Sequence, residues 1–193
     1  MTKLLLLSFT IISLVANGQN NVKTEETRIN EQDSVAYVQK CVSFIKQVKG
    51  IKFLESFFIL SDKPYVFENL DCLSSLRNDT TNFSKEDIVF IQNGKYPPIS
   101  KWTKKMFPSV KVISNDTIKT IFKDGPRQWA YFYKNIGTSY HGFSVPLFLR
   151  NDTYCLFYSD ESCGGLCGSG SLILYKKENN KWIRIQSYCE WIS

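Results

Sequence analysis

Histidine is the residue type that this 193-residue chain has least of, because His141 is its only one. A single histidine excludes a histidine-rich metal centre. The sequence also lacks a Gly-x-Ser-x-Gly elbow, a Gly-Lys-Ser/Thr phosphate motif and a Cys-x₂-Cys pair. These absences remove the common sequence signatures of α/β-hydrolases, P-loop NTPases and thioredoxin-like redox proteins. No cofactor or metal is predicted.

Long apolar runs are also scarce, and the one that stands out lies at the N-terminus. Lys3 precedes the apolar stretch Leu4–Val15, and small residues follow at Ala16 and Gly18. The stretch is shorter than the roughly 20 residues of a membrane-spanning helix but fits the core of a signal peptide. The alternative, a buried amphipathic helix, is disfavoured because the run has no polar face. The pattern predicts a signal peptide at 1–18 and a periplasmic or extracellular protein.

The composition of the remaining chain indicates a folded domain. Hydrophobic residues make up 43% of the sequence, which excludes global disorder. The formal net charge of +6 is modest and its lysines are scattered, so no nucleic-acid partner is predicted. We expect a polar N-terminal segment at 19–29 and one α+β domain at 30–193, with no transmembrane segment after cleavage.

Six cysteines follow the predicted cleavage point, an even number that indicates disulfides in an exported protein. Fifteen complete pairings are open in principle. Chain order and loop geometry favour one of them, which consists of Cys41–Cys72, Cys155–Cys189 and Cys163–Cys167.

The first half of the domain has helical periodicity. Apolar residues recur at three- and four-residue steps after Asn30, and Gly50 is a natural helix end; these residues are Val35, Val38, Val42, Ile45 and Val48. The stretch 51–60 fits a helix or a strand. Further helices are predicted at 62–77 and after Ser84, where Asp87 completes a capping pair, with a short helical turn at 100–107.

The second half reads as strands and hairpins. The expected elements are a hairpin at 110–122 around Asn115-Asp116, a strand at 129–133, a hairpin at 145–159 around Asn151-Asp152, and a hairpin at 171–187. Helices followed by strands predict N-terminal helices packed on one face of a C-terminal antiparallel sheet built of hairpins.

The segment Cys163–Gly170 combines two cysteines with four glycines. A structural disulfide closing a tight loop is the favoured interpretation. A redox-active pair, a phosphate-binding loop and a two-cysteine metal site are weaker alternatives. The spacing is Cys-x₃-Cys, the glycines lead to a strand, and no second ligand pair accompanies the cysteines.

Aromatic residues and the single histidine are the candidate binding residues. Trp129, Tyr131 and Tyr133 would share one face of a strand, either as core or as an exposed surface for a sugar or peptide. His141 is expected in a loop or half-buried, although it could assist a serine or cysteine nucleophile. The adjacent carboxylates Asp160-Glu161 and Glu86-Asp87 diverge on any regular element, so neither forms an acid/base pair alone.

A resemblance covers roughly residues 129–193. The stretches Phe143–Phe148, Cys163–Gly170 and Lys176–Trp182, with the ending Trp191-Ile192-Ser193, resemble a group of uncharacterised exported proteins of Bacteroidetes-type bacteria. The resemblance implies an exported protein and no particular activity. The order of elements also resembles nuclear-transport-factor-2-like and cystatin-like folds, which implies nothing about function.

Two functional hypotheses follow. The first is an exported, non-catalytic binding or envelope-associated protein whose partner is an envelope component, a glycan or another protein. The alternative is a hydrolase whose site forms between the sheet and the N-terminal helices. A pocket that brings His141 together with a serine, cysteine or carboxylate favours the alternative.

Overall fold

The computed structural model describes residues 34–55, 58–67, 73–92, 99–125 and 128–193. The predicted signal peptide, the polar segment 19–29, the helix start at Asn30 and Cys72 lie outside these residues. The chain divides into two compact units, Met1–Ala36 and Tyr37–Ser193. Among the described residues, the second unit contains the whole sheet.

Six helices and seven strands can be assigned in the described residues. The helices are α1, described over residues 34–49, α2 (Ile51–Glu55), α3 (Leu73–Asn78), α4 (Lys85–Gln92), α5 (Asn115–Ile121) and α6 (Trp129–Asn135). The strands are β1 (Ile59–Ser61), β2 (Lys111–Ile113), β3 (Tyr140–Phe143), β4 (Leu147–Leu149), β5 (Tyr154–Gly164), β6 (Cys167–Glu178) and β7 (Lys181–Ile192).

The strands form one mixed sheet in the order β2-β1-β3-β5-β6-β7, with β4 paired to β5. Strands β5, β6 and β7 are antiparallel hairpin partners, whereas β1 pairs in parallel with both β2 and β3. The α+β class is therefore confirmed, and its sheet is mixed at the β1–β2 end.

Helical segments pack on both faces of this sheet. Side chains alternate between faces along a strand, so Cys155 and Phe157 face one way and Leu156 faces the other. Cys155 and Phe157 share a core cluster with Phe44 of α1, and we call this the α1 face. Leu156 shares a cluster with Leu76 of α3, and we call this the α3 face. The sequence predicted helices on one face, and the structure has helical segments on the second face as well.

The amphipathic helix α1 is confirmed over its described residues. Cys41, Phe44 and Ile45 are buried, while Val35 is exposed. Gly50 follows the last helical residue at φ +83°, a left-handed conformation that glycine adopts without the Cβ strain of other residues. The undecided stretch 51–60 contains both a helix, α2, and the beginning of a strand, β1.

The helix predicted at 62–77 is only partly present, since the described helical residues are Leu73–Asn78. The start of α4 is confirmed. The Asp87 carboxylate accepts from the Ser84 N–H over 2.8 Å, and the Ser84 hydroxyl accepts from the Asp87 N–H over 3.2 Å. Arg150 donates to the same carboxylate, which binds the first turn of α4 to the β4–β5 turn.

The predicted hairpin at 110–122 is wrong. Strand β2 pairs in parallel with β1, and the residues expected to form the second strand form helix α5. Ser114 explains the difference because its side chain accepts from the Asp116 N–H and caps the helix. The strand predicted at 129–133 is also wrong, since these residues lie in α6 with Phe132 fully buried.

The other two predicted hairpins are confirmed; β4 is shorter than expected, whereas β5, β6 and β7 are longer. The β4–β5 turn places Arg150, Asn151 and Asp152 at positive φ, and the β6–β7 turn does the same for Asn179 and Asn180. Asparagine and aspartate tolerate this conformation better than most residues. A further hairpin joins β5 to β6 through Gly165 and Leu166, within the tight loop that the disulfide was expected to close.

The Cys163–Cys167 disulfide is confirmed at the end of this hairpin, with a Cα–Cα distance of 5.0 Å. The other two pairings are wrong, because Cys41 and Cys155 are free buried thiols. Both lie in the core cluster of the α1 face, whereas Cys189 belongs with the cluster of the α3 face and is disulfide-bonded. Strand β6 separates β5 from β7, and Cys155 lies opposite Tyr175, whose partner on β7 is Arg184, so Cys155 and Cys189 do not meet.

Candidate functional site

A cleft opens on the α1 face where the sheet extends beyond the end of α1. It has a volume of about 320 Å³ and is lined, among others, by Lys49, Phe53, His141, Ser159, Glu161, Ser169 and Ser171. Along β5 the α1 face changes from Cys155 and Phe157, which α1 covers, to Ser159 and Glu161. The cleft therefore begins where helix coverage ends.

Cross-strand pairing brings the polar residues side by side. Ser159 lies opposite Phe143 of β3 and Ser171 of β6, and Glu161 lies opposite His141 and Ser169. Directly opposed residues on one face have Cβ atoms roughly 4.5–5.5 Å apart. Two rows of side chains consequently cross the floor of the cleft; one contains Phe143, Ser159 and Ser171, and the other contains His141, Glu161 and Ser169.

Lys49, the last helical residue of α1, extends over the first row. Its Nζ donates a hydrogen bond to Ser159 Oγ over 2.6 Å and lies 5.6 Å from the centre of the Phe143 ring. Burial of the ammonium group lowers the pKa of Lys49, an effect that the negative charges of Asp160 and Glu161 oppose. Lys49 therefore loses its proton more readily than a lysine in water does.

His141 is buried on β3, so its predicted position in a loop or half-buried is wrong. Its ring stacks on Phe58 with centroids 4.0 Å apart, and its Nε2 lies 3.8 Å from Glu161 Oε1. Burial lowers the pKa of His141 to about 4, with Lys49 acting in the same direction and Glu161 against it. The imidazole is therefore neutral at physiological pH and offers both a donor and an acceptor nitrogen.

Asp160 and Glu161 diverge as predicted, because they occupy opposite faces of β5. The Asp160 carboxylate accepts from Tyr65 Oη over 2.7 Å and from the Gly142 N–H over 2.8 Å, while Glu161 faces His141. Burial raises the pKa of Asp160, and these two hydrogen bonds oppose the shift. Asp160 thus belongs to the hydrogen bonding of the α3 face.

The same end of the sheet is filled by aromatic rings on its α3 face. Trp191 lies over Gly170 and donates from Nε1 to Tyr158 Oη over 2.9 Å. A Cβ atom on Gly170 would lie 2.8 Å from both Trp191 Cε2 and Tyr158 Oη, so glycine is needed for this close approach. The Tyr65 ring covers Gly142 in the same way.

The predicted aromatic stripe does not exist, because α6 turns its members in different directions. Trp129 packs on Phe122 and stacks on Tyr140, whereas Tyr131 and Tyr133 are exposed. Tyr133 Oη donates to the Cys163 carbonyl over 2.6 Å, which holds the disulfide loop. Trp129 and Tyr140 line a second groove of about 340 Å³, and His141 points to the opposite face from Tyr140 because side chains alternate along the strand.

Lys49 and Ser159 are the site residues that the sequence analysis missed. A signal for them exists, since polar residues replace apolar ones at matching positions of β5 (Ser159, Glu161) and β6 (Ser169, Ser171). Within the described part of the chain, no group of three or more histidine, cysteine, aspartate or glutamate side chains is placed to bind a metal ion. No helix among the described residues has the length and apolarity needed to cross a membrane.

Comparison with models of protein families, with curated proteins and with solved structures finds no match to this chain. Functional inference therefore depends on the chemistry of the cleft.

Proposed function

We propose that this protein binds a small polar molecule in the cleft beyond the end of α1. The observation that carries the proposal is the set of charged and hydroxyl side chains that line a cleft on a sheet face that is otherwise apolar core. Placing lysine, histidine and glutamate at such a position costs desolvation energy that an apolar side chain would not. Contacts between these groups and a bound molecule would offset that cost and explain why charged residues occupy these positions.

The chemistry of the lining defines the class of ligand. Lys49 offers a cation for a carboxylate or another anionic group, Glu161 offers an acceptor for a hydroxyl or ammonium group, and His141 offers a neutral imidazole. Phe53 supplies an apolar wall. A cavity of about 320 Å³ is at the small end of ligand pockets, which suits a compound of amino-acid or monosaccharide size.

A change at Lys49 tests this proposal. Carboxylic acids, amino acids and monosaccharides are screened against the ¹⁵N-labelled protein by NMR, and ligands that shift the signals of Ser159 and Glu161 are titrated. Lys49→Met should weaken the binding of anionic ligands at least 10-fold. Lys46→Met is the matched control, since Lys46 lies one helical turn earlier and is exposed outside the cleft. Unchanged affinity in Lys49→Met, or shifts centred on Trp129 and Tyr140, would place the ligand elsewhere.

We further propose that this binding takes place outside the cytoplasm. The support is the signal-peptide pattern at 1–18 together with the Cys163–Cys167 disulfide, a bond typical of oxidising compartments. Mass spectrometry of the protein recovered from the producing cell should give a chain that starts at Gln19, within a residue or two. An uncleaved chain in the cytoplasmic fraction would contradict the proposal.

Hydrolysis is the second candidate function, and one observation favours it. The cleft brings His141 together with a serine and a carboxylate, and the serine is hydrogen-bonded to a half-buried lysine. Binding in the cleft is required for either function, so the NMR experiment does not separate them. The chemistry of Ser159 does.

A further inference from the structure

The contact between Lys49 and Ser159 has the geometry of a nucleophile and its base. Nζ and Oγ are 2.6 Å apart, well within the distance over which a lysine can remove a hydroxyl proton. Both side chains line the cleft, in which 6% of the Ser159 surface is exposed, and the cleft has sufficient volume to admit a small acyl compound. Ser159 is held on a central strand paired on both sides, so its position is rigid.

We infer that Ser159 is a nucleophile activated by Lys49, and that the protein cleaves small esters or amides through an acyl-Ser159 intermediate. The inference rests on the proposed binding of a small polar molecule in the cleft. It adds a covalent step that binding alone does not require.

The step balances without any further reactant except water. Neutral Lys49 Nζ takes the proton of Ser159 Oγ as Oγ bonds to the carbonyl carbon of the ligand. The bond from that carbon to the alcohol or amine breaks, and Lys49 returns the proton to the leaving group. Water, deprotonated by Lys49, then attacks the acyl carbon, and Ser159 is released with its proton restored.

Lys49 can act as a base only in its neutral form, and its surroundings favour that form. Burial of Nζ among the sheet and Phe53 disfavours the ammonium ion. The charged and titratable groups near Lys49 are Glu161 of β5, His141 of β3 and Glu190 of β7, together with Asp160, which acts on Lys49 from the other face of β5. The two β5 carboxylates oppose the loss of the proton, while His141 is uncharged at neutral pH.

A structural role for the pair predicts a different behaviour. A lysine that only satisfies a buried hydroxyl would stabilise the fold and leave Ser159 as unreactive as any serine. The two roles are separated by the reactivity of Oγ towards an electrophile, which a structural hydrogen bond does not raise. They are also separated by the pH dependence of that reactivity, because only a base must lose its proton first.

The test uses a biotinylated fluorophosphonate on the full-length protein. Ser159 Oγ bonds to phosphorus, fluoride leaves, and Lys49 takes the proton, so one label per chain should be found on the Ser159 peptide by mass spectrometry. Ser159→Ala should abolish labelling, and Lys49→Met should slow it at least 100-fold. Ser43→Ala and Lys46→Met, exposed positions on α1, should label at the wild-type rate.

The pH profile keeps the inference testable where Lys49→Met fails to fold, as monitored by its melting temperature. Labelling of the wild-type protein should accelerate with rising pH as Lys49 loses its proton, then level off. Absence of labelling, a label on another residue, a Lys49→Met variant that labels at the wild-type rate, or a wild-type rate that does not change with pH would each overturn the inference.

Lys49→Arg distinguishes failure of this inference from failure of the binding proposal. Arginine keeps the positive charge but cannot act as a base at ordinary pH. Retained binding of carboxylate ligands by NMR together with lost labelling supports both proposals. Retained binding with wild-type labelling overturns the nucleophile alone, whereas unchanged affinity for those ligands in Lys49→Met with no labelling in the wild type overturns both.

Discussion

The two faces of the sheet at the β3-β5-β6-β7 end differ: the α3 face is filled by aromatic side chains, whereas the α1 face opens to a cleft. On the α3 face, glycines make room for the rings of Tyr65 and Trp191, and the Asp160 carboxylate is satisfied by two hydrogen bonds. On the α1 face, Lys49 and Ser159 are paired and their neighbours remain open to a cleft. The filled face serves stability, and the open face carries the groups that we propose bind a ligand. Substitutions on adjacent residues of one strand can therefore separate folding from function.

The largest expected effect is a loss of stability in mild acid caused by His141. Its pKa is about 4 in the folded protein and about 6.5 when unfolded, so below pH 6.5 the unfolded chain binds the extra proton. The free energy of unfolding should therefore decrease as the pH is lowered from 6.5 to 4, by up to about 3 kcal/mol. Urea denaturation across this range measures it. His141→Gln should lack this component of the slope, and an identical slope in the variant would show that other groups cause it.

The adjacent pair Asp160 and Glu161 gives the next largest contrast. Asp160→Ala leaves the Gly142 N–H and Tyr65 hydroxyl without their acceptor and should destabilise the protein by about 2 kcal/mol. Glu161→Ala removes a carboxylate that is 41% exposed and should change stability by less than about 0.5 kcal/mol. Chemical denaturation of both variants at pH 7 is the measurement. Equal losses would show that the two faces are not divided as described.

A smaller difference is expected between the neighbours Gly170 and Ser171. Gly170→Ala forces a Cβ atom against Trp191 and Tyr158 and should cost about 1–2 kcal/mol. Ser171→Ala, on the open face, removes a hydroxyl next to the cleft and should leave the melting temperature nearly unchanged. Calorimetry of the two variants compares them. A lower melting temperature for Ser171→Ala than for Gly170→Ala would reverse the assignment of filled and open faces.

The smallest effect is expected from the Cys163–Cys167 bond, which joins the strands that carry both faces. A loop this short restricts the unfolded chain little, so the double change to serine should cost about 1 kcal/mol. The β5–β6 pairing continues for most of both strands and should hold the fold together. Thermal melting measures the loss, and hydrogen exchange at Gly164 to Gly168 should accelerate. Global unfolding of the variant at 25 °C would show that the bond supports more than its own loop.

Local chemistry predicted the elements whose signals lie within a few residues. The helix α1 follows from its apolar spacing, and the Ser84–Asp87 capping pair follows from its side chains. The triplet Asn-Asp-Thr shows where such signals fail. At 151–153 it forms a turn at positive φ, and at 115–117 it begins helix α5 because Ser114 caps it. The same residues adopt different structures according to the residue that precedes them.

The cleft depends on pairings between distant parts of the chain, which the sequence analysis did not predict. Lys49 and Ser159 are 110 residues apart, and His141 lies beside Glu161 only in the β3–β5 register. The parallel β1–β3 pair and the bulges between β6 and β7 leave no local pattern. What the sequence does carry is the change from apolar to polar residues at matching positions of β5 and β6. That change indicates which face of the sheet becomes polar, but it does not indicate that α1 ends beside this face and places Lys49 there.

The free thiols of Cys41 and Cys155 have a consequence for how the chain must fold. Burial raises the pKa of both thiols, that of Cys41 to about 12, and neither is exposed to solvent in the folded protein. Reaction with an oxidant needs the thiolate, so the finished fold protects them. The unfolded chain has no such protection, and six thiols compete to pair. Where an oxidant is present, correct disulfides require that α1 dock on the sheet before Cys41 or Cys155 pairs wrongly. The yield of correctly folded protein therefore depends on the rate of docking relative to the rate of thiol oxidation.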